Sequence, residues 1–222
     1  NQTIFSRYKT IGPALIISAL LSVSALAQVY VPVAGEFGYR TASSGIASCK
    51  PEMNPDISAT GDYLALGDDE EANVVMPFLF DFYGVRSDKL RIGNNGGILF
   101  DNTTDDLLAA NSNFDATNPS GISKILPFWD DLDSEQGGVY YQTTGSAPNR
   151  VFIIEWKDRR HYSGTTYLDP ATFQAQLYES SNVIAFFYPD MDFSDVNYDD
   201  GISATVGLIA STGEFTKTSY NS

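Results

Sequence analysis

Apolar residues recur at every second position through much of this chain, the spacing of strands with one dry face. In VVMPFLFDFYG the alternation runs through Phe78, Phe80 and Phe82. RVFIIEW puts Phe152, Ile154 and Trp156 on one face, and TFQAQLY points Phe173, Ala175 and Leu177 inward with Gln174 and Gln176 outward. KLRIGNNGGILF places two apolar runs around Asn-Asn-Gly-Gly, the chemistry of a tight hairpin. NVIAFFY is apolar on both faces, as a covered central strand should be, and SATVGLIA follows with Ala204, Val206 and Leu208 in register. Only DDLLAANSNF, from Asp105 to Phe114, has a short helical look. Strands separated by Gly, Asn and Asp turns from about Ala34 onward predict an all-β fold, an antiparallel β-sandwich over residues 35–222.

Residues 1–34 follow a different pattern. No charge falls between Lys9 and Glu36, and IGPALIISALLSVSALAQ is apolar enough to enter a membrane, with Arg7 and Lys9 ahead of it. About 20 such residues span hydrocarbon, and basic flanks stay cytoplasmic. Two readings stand side by side. As a secretory signal, the segment ends at an A-x-A site framed by Ala25 and Ala27, before Gln28. As a retained helix, it anchors the chain or packs against neighbouring subunits through Ile11, Leu15, Ile16, Leu20 and Val23. Either way the membrane is met through residues 11–34, at least during export. Val29, Val31 and Val33 lie in VYVPVAG, a β-prone stretch that suits a donated strand.

Charge and composition sharpen this picture. The formal net charge is −15 with one His, which argues against nucleic acid or anionic lipid as partner and suits an extracellular life. A single cysteine, Cys49, excludes an intrachain disulfide. No internal repeat is present.

The series PFWDDLD (Pro127 to Asp133), GGVYYQTTG (Gly137 to Gly145), PNRVFIIEW, TFQAQLYES, NVIAFFYPD and SATVGL resembles β-sandwich modules of secreted bacterial and archaeal surface proteins. It is similar, more distantly, to the nidogen-type extracellular domain. The resemblance covers roughly Ile57 to Asn221. It implies adhesion, matrix or display roles, and no catalytic set to carry over.

Candidate chemistry gathers in acidic loops. Asp190, Asp192, Asp195, Asp199 and Asp200 lie in DMDFSDVNYDDG, where alternate-residue carboxylates suit Ca²⁺, which takes six to eight oxygens. Asp130, Asp131, Asp133 and Glu135 form a second, weaker candidate; GDDEE at Gly67 to Glu71 reads as a plain acidic turn. Trp129 and Phe128 read as a core plug at a sheet edge beside solvent-facing or amide-capping carboxylates, and Trp156 as core. A Ser-His-Asp triad would depend on His161, read here as a loop residue near Arg159 and Arg160, and no G-x-S-x-G elbow supplies its nucleophile. A sequon at Asn102 to Thr104 offers an exposed glycosylation site at Asn102, and another stands at Asn1 to Thr3.

The sequence thus predicts a non-enzymatic structural or adhesive surface protein that self-associates, pilin-like or by strand donation. The alternative is a calcium-dependent carbohydrate-binding module using an exposed aromatic such as Tyr140, Tyr141 or Tyr198.

Overall fold

The structure, a computed structural model, describes residues 55–112, 121–163 and 168–220, together with the backbone of 28–30. Twelve strands are found among the described residues: β1 (Gln28–Tyr30), β2 (Asp62–Leu64), β3 (Glu71–Phe82), β4 (Val85–Gly93), β5 (Ile98–Phe100), β6 (Lys124–Trp129), β7 (Gly138–Thr144), β8 (Val151–Arg159), β9 (Ala171–Tyr178), β10 (Val183–Asp190), β11 (Thr205–Ile209) and β12 (Phe215–Tyr220). They form two six-stranded sheets, ordered β1-β10-β9-β8-β7-β2 and β12-β11-β6-β5-β4-β3. Pairing is antiparallel except between β1 and β10, which run parallel. The expected sandwich is therefore present. The segment DDLLAANSNF is not helical where it is described, through Ser112; it runs as an irregular loop over the outer face of the second sheet.

Alternation in the sequence becomes alternation in burial. Along β3 every second residue from Val74 to Phe82 is buried, and these side chains meet Phe152, Ile154, Trp156, Phe173 and Leu177 from the facing sheet. Trp156 stacks on Phe173 at 5.0 Å and donates its Nε1 hydrogen to the Gly93 carbonyl, 2.9 Å. Burying both rings contributes on the order of 2–3 kcal/mol each. Pro77 sits within β3 at the sheet edge, in a stretch where pairing with β4 slips register, so its missing N–H costs no ladder bond.

The predicted hairpin forms β4 and β5, with Leu90 opposite Phe100 and Ile92 opposite Ile98. Its tip needs glycine for a steric reason. Gly96 has φ +72°, and a Cβ there would lie 1.8 Å from the Phe128 carbonyl oxygen.

Both sheets bury more than one face. On the second sheet, Leu99, Leu126, Trp129 and Ile209 point outward into a small core closed by Leu107. Trp129 therefore sits on an interior strand, between β11 and β5, and not at a sheet edge. Its Nε1 donates to the Leu108 carbonyl at 2.8 Å, and Lys124 Nζ lies 4.7 Å from its ring. On the first sheet, Gln174 and Gln176 point outward as expected but are fully buried. They continue a polar ladder: Gln174 Nε2 donates to Glu155 Oε1 (2.8 Å), Gln176 Nε2 to Gln174 Oε1 (3.0 Å), and Tyr178 Oη to Gln176 Oε1 (2.7 Å). The Ile57 amide closes it on Glu155 Oε2 at 2.9 Å.

Among the assembly residues, Ile11, Leu15, Ile16, Leu20, Val23, Val31 and Val33 lie outside the described residues, as does Cys49. Val29 falls in β1, where its backbone pairs with Ile184.

Candidate functional site at the acidic end

Five loops that are distant in sequence meet at one end of the sandwich. The hairpin tip ties two of them: Asn95 Nδ2 donates to Asp69 Oδ1 (2.7 Å), while Asn95 Oδ1 accepts the Leu132 amide (2.9 Å). Asn94 joins the same pair of loops, its amide reaching the Glu70 carbonyl and its Nδ2 the Leu132 carbonyl. The loop after β8 is laced to the loop after β6 through Asp133 N to Arg160 O (3.0 Å) and Tyr162 N to Asp131 O (2.8 Å). Turn residues Asn and Asp supply these bonds because their short side chains reach nearby backbone groups.

At the centre lies Asp130, which is buried and does not face solvent. One carboxylate oxygen, Oδ2, accepts from Ser203 Oγ at 2.5 Å. The other accepts the Asp131 amide at 3.0 Å and lies 3.2 Å from His161 Nε2, a close approach off the line of a hydrogen bond. His161 is buried too, stacked on Tyr198 at 3.8 Å and edge-on to Phe193, with Nδ1 2.7 Å from the Tyr162 carbonyl. A Ser-His-Asp relay needs the imidazole between hydroxyl and carboxylate. Here the carboxylate stands between the other two, so the order of the relay is not reproduced and the Asp130–Ser203 bond ties two loops together.

Like charges crowd this end. Burial raises the Asp131 carboxyl above the usual carboxylate range; His161 opposes the rise, while Asp69, Asp68 and Asp130 add to it. Asp68 is raised by burial, then by Asp69, Asp133 and Glu135. Arg160 balances part of this, 3.3 Å from Glu135 and 3.5 Å from Asp133. Arg159 is buried, gives Nη1 to the Gln136 carbonyl at 3.1 Å, and is lowered by that burial.

The second acidic loop uses its carboxylates internally. Asp199 Oδ1 accepts the amides of Phe193 (2.7 Å) and Asp195 (3.2 Å). Asp190 accepts from Asp192 N, Asp192 from Ser194 N and Asp195 from Asn197 N, while Asp200 begins a tight turn in the left-handed region, φ +55°. Among the described residues, no group of three or more His, Cys, Asp or Glu side chains is placed to share a metal ion.

Of the aromatics considered for ligand contact, Tyr141 packs on the core beside Phe152 and Tyr198 on His161. Tyr140 alone pairs with an exposed partner. That partner, Tyr63 on edge strand β2, is 55% exposed, with ring centroids 5.4 Å apart. Both rings lie over Gly138, where a Cβ would stand 2.8 Å from each. Asn102 accepts the amides of Thr104 (3.0 Å) and Asp105 (2.9 Å), so its sequon sits in a tight polar turn.

Sequence reasoning missed Ser203, Asn95 and Tyr63. Asn95 was legible only as a turn residue, and Ser203 lies 73 positions from the carboxylate it binds.

No curated protein and no solved structure matches this chain. A family profile described as NIDO related matches residues 53–222, from before β2 to the end of the second sheet, and domains of this kind are generally extracellular. With well over half its length matched, the chain belongs to the NIDO-related family.

Proposed function

We propose that this protein is a non-enzymatic structural or adhesive module of an extracellular surface, one that associates with copies of itself. The observation that carries this reading is the NIDO-related match over residues 53–222, which takes in every described strand except β1. The acidic end supports it, because Asp130 and Asp199 bond to backbone amides and to Ser203 and so hold its loops in place. The test is particle size together with surface retention of the exported full chain. Large assemblies or firm attachment to cells are expected; a freely secreted monomer that binds no surface overturns the reading.

A second reading, calcium-dependent carbohydrate binding, is favoured by one feature: the tilted Tyr63–Tyr140 ring pair beside Gly138 at an exposed edge. Such a surface suits stacking against a sugar ring. Glycan binding that requires Ca²⁺ and is lost in Tyr63→Ala would support it, and the absence of glycan binding removes it.

A further inference from the structure

β1 differs from every other described strand in how it is attached. It pairs in parallel, through three residues only, with one edge of β10: Gln28 opposite Val183, Val29 opposite Ile184 and Tyr30 opposite Ala185. Parallel pairing is somewhat weaker per residue than antiparallel, and three residues give few ladder bonds. The hold is short. Beyond Ala185, no described strand pairs with that edge of β10.

The connection from β1 to the next strand does not dictate which molecule β1 joins. β1 and β2 are the opposite edges of one six-stranded sheet, a separation of about 24 Å at the usual strand spacing. The 31 residues from Val31 to Gly61 have a contour of about 100 Å. A tether several times longer than the gap reaches a neighbouring molecule as readily as its own sheet edge.

Charge points to the same neighbour. With a net charge of −15, most surfaces of two copies repel one another. The donor and the acceptor are exceptions: no charge falls between Lys9 and Glu36 around β1, nor from Asn182 to Pro189 along β10. Two copies can meet there without bringing like charges together. An exchange of this kind conserves every bond made within one molecule, which is why exchanging identical elements is a low-cost route to assembly.

We propose that the β10 edge is a strand-acceptor site and that its occupant in the assembly is the Gln28–Tyr30 strand of a second copy. This deepens the self-association proposed above and rests on it. The strand supplies backbone hydrogen bonds, and repetition along successive copies links them head to tail.

The test uses the full chain with Cys49→Ser. Two differently tagged forms, one carrying Gln28→Cys and the other Val183→Cys, are co-expressed, exported and mildly oxidised. Cα partners in a ladder fall within disulfide reach. A disulfide joining the two tags is expected, well above a register-shifted control carrying Phe187→Cys. A peptide of residues 28–34 is expected to compete and shrink the particles. Absence of the mixed disulfide, a yield equal to the control, or a double variant closed only within single molecules overturns strand exchange. If the particles stay large in that case, the structural reading survives and only this route falls; if the protein is monomeric throughout, both fall.

Discussion

Single residues in this protein can be tested by separating contact from conformation. Gly96 and Gly121 both adopt positive φ, +72° and +68°, but a Cβ at Gly96 strikes the Phe128 carbonyl whereas one at Gly121 meets nothing within 4 Å. Gly96→Ala is therefore expected to cost roughly 2–4 kcal/mol in denaturant unfolding and Gly121→Ala about 1 kcal/mol. Equal losses would mean that conformation alone matters. Glu155 is a second case. Burial pushes its carboxyl above the usual range, against hydrogen bonds from Gln174 and the Ile57 amide that pull it down. A carboxyl raised in the folded state contributes stability at low pH that is lost as pH rises through its raised value. Glu71, Asp68 and Asp131 are raised in the same direction. Asp56, Glu179 and Glu214 are lowered and work against them. Glu155→Gln should flatten the fall in stability as pH rises above about 4.5, measured by paired denaturant titrations; an unchanged profile would show that Glu155 does not contribute to it.

Elements are held to one another at identifiable points. Arg150, just ahead of β8, forks onto Glu179, Nε to Oε2 at 2.8 Å and Nη2 to Oε1 at 2.5 Å, while its Nη1 reaches across to the Pro77 carbonyl of β3 at 2.8 Å. Lysine cannot reproduce that fork. Arg150→Lys should lower Tm, and Arg150→Ala should lower it further as packing over Phe78 is lost. Leu107 closes the small outer core, so Leu107→Ala is expected to cost roughly 2–4 kcal/mol and to speed amide exchange in the 101–112 loop. In the second acidic loop, Asp199→Ala should cost about 1–2 kcal/mol in the presence of a chelator, since the lost bonds run to backbone amides. No loss under those conditions would mean that these bonds do not hold the loop. The strands β3, β8 and β9 were legible from period two, and the β4–β5 hairpin from its Asn-Asn-Gly-Gly turn, though not which residues pair across it. What alternation cannot report is whether the polar face is wet: Gln174 and Gln176 read as solvent-facing, yet they are buried on the outer side of their sheet. Nor could spacing reveal the acidic end, where Asp130 meets residues 31 and 73 positions away through topology.

The whole molecule carries a charge that opposes assembly. Under the self-association proposed above, particles of the full chain should grow as salt is raised from about 10 mM to several hundred millimolar, since added ions screen repulsion between copies. Light scattering that falls with salt would instead point to attraction between opposite charges. The buried ladder from Glu155 to Tyr178 bears on a different problem, how two long strands find their correct alignment. Side chains in a strand alternate faces, so sliding β9 by one residue would turn Gln174 and Gln176 into the apolar interior and expel Phe173, Ala175 and Leu177. A wholly apolar pair of faces would tolerate such a slip. The amide row therefore fixes the register of the sheet, because every odd displacement would bury unpaired amides in the apolar interior.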